Sequence, residues 1–386
     1  MSRIVYGVAG EGSGHTSRAR EMLRHLQQQG HEVRVVGYDR SYAALKEEFD
    51  CLEIEGLHIV SVDNKVSAFG TVTHNLRRAR RAIVRNRLLV QLFNEFQPDV
   101  VITDFEPATA WLANWRKIPL ISLDNQHRLR YMKFSVPSTL LFDKWLTHLI
   151  IALMIPRPTA SLATSLVLGE STNARTRMFP PIVRQEVLDL QPQQKDFHLV
   201  YVTSAFESLI VALKAFPDRT FHVYGHHGNS QDQNIHYRSF SGEAFLHDLA
   251  TCHSVIATAG FTLMSEAMCL EKPCLALPMT GQFEQQVNAM FLERSGCGLN
   301  ARRANVDMLQ TFFSRHAEFK RALQEYNASL LANGFAQYGG SAIKMTLDSL
   351  LANNLVLAPL ASTPLAFTPV VSSPVRGSDE HCDTAR

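Results

Sequence analysis

The chain has 386 residues and a mass of 43.3 kDa, which predicts two domains of ordinary size. Hydrophobic residues make up 46% of it and charged residues 19%, a composition that excludes a mainly disordered chain and a coiled coil. The 38 Lys and Arg residues nearly balance the 36 Asp and Glu residues, giving a formal charge of +2. This balance excludes a protein whose whole surface binds nucleic acid.

The six cysteines form no C-x-x-C pair, so neither a zinc ribbon nor a disulfide framework is indicated, and a reducing compartment fits best. The N-terminal apolar residues run straight into glycines, which indicates a first strand and not a signal peptide. The most apolar stretch, 146–155, is about half the roughly 20 residues that a bilayer span requires. We therefore expect a cytoplasmic protein with no membrane span.

The first half alternates short apolar runs with segments of helical period, the pattern of a parallel sheet covered by helices. The predicted strands are 4–9, 33–36, 100–103 and 120–123. After the first strand, one apolar helical face is formed by Ala19, Met22, Leu23 and Leu26, and Gly30 ends that helix. Residues 1–175 are predicted to form an N-terminal Rossmann-like domain.

Prolines interrupt regular structure between the two halves and again near the C-terminus. Pro156, Pro158, Pro180 and Pro181 place the interdomain connection near 175–190. The alternation then resumes, with predicted strands at 198–202, 221–224, 255–258 and 274–277. The sequence therefore predicts an α/β protein with a second doubly wound domain over 186–352, and a disordered, proline-rich tail over 353–386.

The loop from Gly10 to His15 joins the first strand to the first helix, at the edge where open α/β sheets bind ligands. Its glycines allow close approach to the backbone, and the helix start favours negative charge. His15 stands where a dinucleotide fingerprint needs its third glycine, although Asp39 near the second strand could still serve a ribose. A tight structural turn explains the glycines equally well, but a histidine at this edge is placed for acid–base chemistry.

The segment 257–268 concentrates the polar and small residues of the second half. A strand ends, Gly260 turns the chain, Thr262 is predicted to cap a helix, and Glu266 lies one turn further on. Free amides at such a helix start bind a diphosphate, and a carboxylate accepts hydrogen bonds from a vicinal diol. A solvated helix surface is the simpler interpretation of Glu266 by itself. A following helix carries Gln285 and Gln286 away from its apolar face, where they can bind a ligand.

The glycine loop ending in histidine, the segment 260–266 and the paired glutamines before Asn288-Ala289 together resemble the two-domain glycosyltransferases of the GT-B fold. Within that fold the resemblance is to the transferases that add N-acetylglucosamine to a lipid-linked peptidoglycan precursor, and to their uncharacterised relatives. It spans most of residues 1–350 and is strongest over 255–298. The resemblance implies two Rossmann-like domains facing across a cleft, the N-terminal one for the acceptor and the C-terminal one for the nucleotide sugar, and a cell-envelope glycan as product.

The resemblance also implies a role for particular residues. On the donor side, Gly260, Phe261, Thr262 and Leu263 would contact the diphosphate, Glu266 the ribose, Gln285 and Gln286 the donor sugar, and the backbone near Phe240 and Ser241 the uracil. On the other side, Gly12, Gly14 and His15 would approach the acceptor and the transferred sugar. Two segments depart from the family pattern. Thr203–Ser208 replaces a second glycine-rich loop, and 124–127 replaces a different polar tetrad, which implies a different acceptor.

Asp104 and Glu106 follow the end of a predicted strand and could orient His15 or act as a base. For Glu106 the alternative is capping of the helix that begins at Pro107. The pair echoes a metal-binding D-x-D, but no true D-x-D occurs in the chain. Two matched α/β halves also argue against a single-domain, metal-dependent transferase, so we expect no catalytic metal and no cofactor beyond the donor.

Two segments suggest contact with a membrane surface. Six arginines crowd residues 77–87, a pattern that binds anionic headgroups or an acceptor phosphate, although solvated arginine is the simpler interpretation. The apolar run 140–155 could supply a peripheral membrane face, although a buried core helix is its simpler interpretation.

The sequence thus predicts an inverting transferase that moves a sugar, an N-acetylhexosamine or a hexose, from a UDP-sugar to an acceptor hydroxyl, with His15 as the base and Asp104 assisting. The acceptor is a glycan, a lipid-linked compound or a small molecule, and no nucleic acid is expected as a partner. The enzyme would be cytoplasmic, with peripheral contact at the inner face of the membrane. A sugar-nucleotide epimerase, a nicotinamide-dependent oxidoreductase and a non-enzymatic sugar-nucleotide sensor stay open as alternatives.

Overall fold

The structure is a computed structural model. It describes residues 1–10, 13–56, 61–62, 65–66, 86–202, 206–225, 228–335, 338, 340–353, 355 and 357. Several predicted features lie outside these residues: Gly12, most of the arginine-rich segment, part of 203–208 and most of the tail.

The N-terminal sheet has seven parallel strands in the order β3-β2-β1-β6-β7-β8-β9. The strands are β1 (Arg3–Val8), β2 (Glu32–Gly37), β3 (Cys51–Glu53), β6 (Val100–Asp104), β7 (Leu120–Asp124), β8 (Ala160–Thr164) and β9 (Thr176–Phe179). β4 (Ser61–Val62) and β5 (Lys65–Val66) form a separate two-stranded ladder. The central strands are buried throughout, as expected for a parallel sheet that helices cover on both faces.

The helices of this half are α1 (Ser13–Gln28), α2 (Asp39–Leu45), α3 (86–96), α4 (Pro107–Arg116), α5 (His127–Tyr131) and α6 (Leu141–Met154), with a short 3-10 turn at Ser138–Leu140. The predicted apolar face of α1 is fully buried in the core around β1 and β6. This agreement follows from the helical period of the sequence, which places those four side chains on one face.

The second sheet also has seven strands, in the order β12-β13-β11-β10-β14-β15-β16, and only β12 is antiparallel. Its strands are β10 (His198–Tyr201), β11 (Phe221–Tyr224), β12 (Ser230–Asp232), β13 (Ile235–Arg238), β14 (Ser254–Ala257), β15 (Cys274–Ala276) and β16 (Gly298–Asn300). The helices are α7 (Gln185–Leu188), α8 (Phe206–Lys214), α9 (Gly242–Thr251), α10 (Phe261–Cys269), α11 (Phe283–Arg294), α12 (Val306–Ser314), α13 (His316–Ala332) and α14 (Ser341–Ala352). The prediction of two doubly wound α/β units is confirmed.

The last helix, α14, crosses back to the N-terminal half. The sequence analysis placed it in the C-terminal domain, yet Ile343, Leu347 and Leu350 are buried in the core around β1 and β6. Asp348 on its outer side accepts from His25 Nε2 of α1 at 2.9 Å. Leu355 and Leu357 pack against the same core, so the chain remains attached to it beyond residue 352. The other domain limits stay predictions.

The apolar helix α6 is not a core helix, contrary to the simpler interpretation of its sequence. Of its 14 residues only Ile151 is buried, and seven large apolar side chains are exposed: Leu141, Phe142, Trp145, Leu146, Leu149, Ile150 and Leu153. Helix α4 packs against β1, β6 and β7, whereas α6 packs against α5 and α11, so α6 lies outside the core of the sheet and leaves one apolar face to solvent. In the part of the chain that the structure describes, no helix is long and apolar enough to cross a membrane.

Candidate active site

The strand order of the N-terminal sheet places His15 and Asp104 at the same point. The chain proceeds from β1 toward β2 and β3, then returns to β6 on the other side of β1. Crevices at such switch points bind ligands in open α/β folds. Val8 at the end of β1 is in register with Asp104 at the end of β6, and His15 follows β1 on the first turn of α1. The topology therefore creates the predicted pair.

The geometry of the pair suits a histidine base. His15 Nδ1 lies 2.7 Å from Asp104 Oδ1, and because a carboxylate only accepts, this contact places a proton on Nδ1 and leaves Nε2 for another partner. Asp104 is fully buried, while 13% of the His15 side chain is exposed. Asp104 thus has no open face, and only the histidine is placed to meet a substrate.

Arg18 also holds Asp104, with its Nη2 atom 3.3 Å from His15 Nδ1, a contact that the sequence analysis missed. Its guanidinium donates to both carboxylate oxygens, from Nη2 to Oδ1 at 2.6 Å and from Nε to Oδ2 at 2.9 Å. Arg18 lies one helical turn after His15, so i,i+3 spacing on α1 was the available signal. With three hydrogen bonds already made, Asp104 orients the imidazole and is poorly suited to act as the base itself.

Glu106 caps α4, so the capping interpretation is confirmed. Its carboxylate accepts from the backbone amides of Ala108 and Thr109, both at 2.7 Å, and from the Thr109 hydroxyl at 2.5 Å. Burial raises the pKa of Glu106, and these hydrogen bonds oppose that rise. The side chain is fully buried, which removes it from the candidate bases.

The second sheet has its own switch point, between β10 and β14, and α10 begins there. Gly260 is the N-cap residue with no side-chain cap hydrogen bond. The expectation that Thr262 caps the helix was wrong, because α10 starts at Phe261, one residue earlier. The first-turn amides of Phe261, Thr262 and Leu263 point out of the helix start, where a helix favours an anion.

The two switch points touch each other at Gly14 and Thr262. A Cβ atom on Gly14 would overlap the hydroxyl oxygen of Thr262, so a larger residue at position 14 would displace the Thr262 side chain at the start of α10. His15 therefore lies directly beside the start of α10, although the two are separated by about 245 residues of sequence. The segments predicted for the acceptor side and for the donor side therefore meet at one place in the structure.

Glu266 lies on α10 but is not a solvated surface residue. It is 2% exposed, and Arg184, at the start of α7, donates to its two oxygens at 2.7 and 3.1 Å. Burial raises the pKa of Glu266, and Arg184 opposes that rise. The solvated alternative was wrong, and contact between Glu266 and a ribose stays a prediction.

The remaining donor-side residues lie around the same edge of the second sheet. Gln285 Oε1 accepts from the amide of Met279 at 3.0 Å, which fixes the loop before α11, and Gln286 is partly buried on that helix. Ser241 is the exposed N-cap residue of α9, without a side-chain cap hydrogen bond. Phe240 beside it is 64% exposed, with its ring 5.4 Å from that of Phe245. Contact between these residues and a donor stays a prediction.

Polar residues after β7 connect the two domains. Asn125 Nδ2 donates to Glu284 Oε1 of α11 at 2.6 Å, and the buried Arg128 donates from Nη2 to Asn288 Oδ1 at 2.6 Å. Asn288 in turn donates to the carbonyl of Ala259, just before α10, at 2.8 Å. The sequence analysis did not identify Arg128. Its guanidinium lies 5.0 Å from the ring centroid of Phe261, so it brings a positive charge to the start of α10.

A second histidine–aspartate pair lies at the end of β7. His127 Nδ1 is 2.7 Å from Asp124 Oδ2, and the hydroxyl of Ser122 donates to the same oxygen at 2.5 Å. Burial opposes ionisation of Asp124, but His127 and Ser122 together lower its pKa to about 2. His127 Nε2 is buried and has no partner among the described residues. Among those same residues, no group of three or more His, Cys, Asp and Glu side chains is placed to hold a metal ion.

Two Rossmann-like domains that meet at their ligand-binding edges define the GT-B architecture of glycosyltransferases. The chain belongs to glycosyl transferase family 1, whose family model matches residues 2–316. An uncharacterised glycosyltransferase of Methanosarcina acetivorans is 24% identical over 328 residues, which cover 77% of this chain and 84% of that protein. Family membership does not favour the epimerase or the oxidoreductase.

Solved structures share the fold across nearly the whole chain. The glycotransferase of kitacinnamycin superposes with a TM-score of 0.65 at 15% identity, covering 91% of this chain and 98% of that one. The spinosyn rhamnosyltransferase SpnG, solved in complex with thymidine diphosphate, has a TM-score of 0.58 at 15% identity and covers 90% of this chain and all of its own. At these identities the likeness shows the fold and leaves the substrates open.

Proposed function

We propose that the protein transfers an N-acetylhexosamine or a hexose from UDP to an acceptor hydroxyl, with inversion at the anomeric carbon. The observation that carries this proposal is the contact between Gly14 and Thr262, which puts the His15–Asp104 pair beside the start of α10. Family membership and the resemblance noted in the sequence support a nucleotide-sugar donor, and the thymidine diphosphate bound by the spinosyn enzyme supports a nucleoside diphosphate as the leaving group.

The reaction is a single displacement at the site between the two domains. The acceptor oxygen attacks the anomeric carbon while the bond from that carbon to the diphosphate oxygen breaks. Nε2 of His15 takes the hydroxyl proton, and Asp104, bonded to Nδ1 at 2.7 Å, stabilises the imidazolium that forms. The diphosphate leaves with its charge at the start of α10, where backbone amides stabilise an anion without reorganisation. Attack opposite the leaving group inverts the configuration.

The donor half of the proposal is tested by thermal shift with UDP, TDP, GDP, ADP and NADH. A nucleotide present at about 100 times its dissociation constant adds roughly 2.7 kcal/mol to stability, so UDP should raise the melting temperature and NADH should not. Stabilisation by NADH alone would instead support the nicotinamide-dependent enzyme. Stabilisation by TDP in preference to UDP would change the proposed nucleobase of the donor from uracil to thymine and leave the proposed transfer reaction unchanged.

The chemical half is tested with His15→Ala. General-base assistance contributes about 10² to 10⁴ in rate, so UDP release from UDP-N-acetylglucosamine or UDP-glucose, measured with panels of glycan, phenolic and lipid acceptors, should fall by that factor. UDP affinity should stay within a few-fold of the parent's.

His25→Ala is the matched control, because His25 lies on the same helix and is also paired with an aspartate, Asp348, but packs against α14. It should retain parental turnover. Near-parental turnover by His15→Ala would remove the imidazole from the mechanism. Release of an altered free sugar without any acceptor would identify an epimerase.

A further inference from the structure

An extended apolar surface lies on α4 and α6 of the N-terminal half. We call it the α4–α6 surface, and it comprises Trp111, Trp115, Leu141, Phe142, Trp145, Leu146, Leu149, Ile150 and Leu153. On α6 these side chains recur at i and i+4, so they form one continuous face of the helix. The indole of Trp111 donates to the carbonyl of Leu153 at 2.8 Å, which joins the two helices into one surface.

The composition of this surface sets it apart from ordinary exposed apolar residues. It holds nine of the 16 exposed large apolar side chains in the described part of the chain. All three tryptophans of the protein belong to it, and they are 53%, 60% and 75% exposed. Single exposed apolar residues are normal, but a contiguous patch of this kind marks an interaction site. Tryptophan is enriched where one end of a side chain meets hydrocarbon and the other meets water.

The charges around the surface identify its partner. Between residues 107 and 160 the chain carries seven Lys and Arg residues and two Asp residues, of which Arg128 and Asp124 are buried and take no part in the surface. Arg116 and Lys117 end α4 beside Trp115, Lys144 lies on α6, and Arg157 follows that helix with an exposed side chain. Basic residues beside an apolar face are attracted to anionic lipids. We call these four residues the basic rim. A second copy of the chain fits poorly as the partner, because a two-fold interface would bring two basic rims together.

We propose that the α4–α6 surface docks the enzyme on an anionic lipid bilayer. The 14 residues of α6 are about 21 Å long, too short for the roughly 30 Å hydrocarbon core, so the helix lies in the headgroup region. Its apolar side chains enter the acyl boundary and the basic rim contacts lipid phosphates.

The position of the surface links it to the transfer site. Ile151, on the buried side of α6, packs in one cluster with Leu129 of α5 and with Phe283, Val287 and Phe291 of α11. Helix α11 also carries Gln285 and Gln286, and α5 follows directly after Asp124. A bilayer at the α4–α6 surface would therefore lie across α6 from the segment 124–127, the part of the site that the sequence analysis connected with the acceptor. This step rests on the proposed function and makes the acceptor an amphiphile whose hydroxyl group is presented at the membrane surface.

Vesicle binding tests docking without any knowledge of the acceptor. Because every tryptophan lies on the surface, intrinsic fluorescence reports its burial without a label. Vesicles of equal parts phosphatidylglycerol and phosphatidylcholine should co-sediment with the protein and shift its emission to the blue. The double variant Phe142→Ser, Leu149→Ser keeps all three tryptophans and should bind at least about tenfold more weakly, because it removes two large apolar side chains from the lipid contact.

The matched control is the double variant Val211→Ser, Met345→Ser, which also replaces two exposed apolar residues, each 71% exposed, away from the surface. It should bind like the parent. Failure of the parent to bind, or equal loss in both variants, would overturn the proposal. Equal binding to phosphatidylcholine alone would overturn the role of the basic rim. A dimer seen by light scattering that only the Phe142, Leu149 variant disrupts would assign the surface to a second copy.

The experiments distinguish failure of the membrane proposal from failure of the proposed function. If vesicles bind but UDP gives no thermal shift, the surface stands and the donor assignment falls. If UDP stabilises the protein and vesicles do not bind, the transferase stands and membrane docking falls.

Discussion

The ion pair beneath His15 should make Asp104→Asn far more damaging than the loss of one positioning contact. Asp104 is fully buried and Arg18 is 4% exposed. Asparagine keeps the shape of the side chain but leaves the guanidinium buried without its hydrogen-bonded counter-charge. Breaking a buried pair in this way costs about 3–5 kcal/mol. Since 1 kcal/mol corresponds to about 2–4 °C for a domain of this size, the melting temperature should fall by about 6–20 °C.

A double-mutant cycle separates this charge effect from ordinary packing. Arg18→Met leaves a buried carboxylate, but His15 Nδ1 stays hydrogen-bonded to it at 2.7 Å, so the cost should be smaller. The double variant Arg18→Met, Asp104→Asn contains neither buried charge and should be more stable than the sum of the two single losses predicts. We expect a coupling free energy of at least about 2 kcal/mol, within the range found for residues of one ion-pair network.

The cycle is measured by urea unfolding at neutral pH, followed by circular dichroism. His15→Ala is the control, because it leaves the Arg18–Asp104 pair intact and should cost about 1 kcal/mol or less. Free energies of unfolding that add to within about 0.5 kcal/mol across the cycle would refute the reasoning. A kinetic defect of Asp104→Asn reports the orientation of the imidazole only when the rate is expressed per folded molecule, with the folded fraction taken from the measured free energy of unfolding.

Three further predictions concern other contacts. Gly14→Ala should weaken UDP binding and transfer by displacing the Thr262 side chain at the start of α10. Thr262→Ala in the same chain should restore both, and no rescue would show that the two helix starts do not touch. Glu266→Gln should weaken UDP binding by about 1.5–3 kcal/mol without unfolding the protein, because Arg184 is partly exposed and tolerates a neutral partner; unchanged affinity by calorimetry would remove Glu266 from the donor site. Burial and neighbouring positive groups lower the pKa of His198 to about 3, below its unfolded value of about 6.5. The contribution of His198 to the free energy of unfolding is therefore fully present above pH 6.5 and is lost as the pH falls toward 3. Between pH 7 and pH 5 this loss is about 2 kcal/mol. The free energy of unfolding of His198→Gln, measured in urea, should depend on pH correspondingly less than that of the parent. An unchanged dependence would show that His198 does not cause the loss.

Local patterns in the sequence were sufficient for the elements that carry the site. The apolar face of α1, the strand before Gly260 and the capping role of Glu106 each depend on residues within a few positions of one another, so period and capping chemistry predict them. The doubly wound class followed from the alternation of strands and helices. Each of these features can be predicted from one half of the chain without the other.

Contacts between distant residues were decided only by the tertiary structure. Arg18 reaches Asp104 across 86 positions, Arg184 covers Glu266 across 82, and Gly14 meets Thr262 in the other half. No local period encodes such pairs, because each depends on which strands become neighbours in the two sheets. Both α6 and α14 carry apolar residues at helical spacing. Helix α14 packs against the core around β1 and β6 and buries its apolar face there. Helix α4 packs against the sheet, and the apolar face of α6 stays exposed. Hydrophobic burial thus depends on the space that other elements leave open.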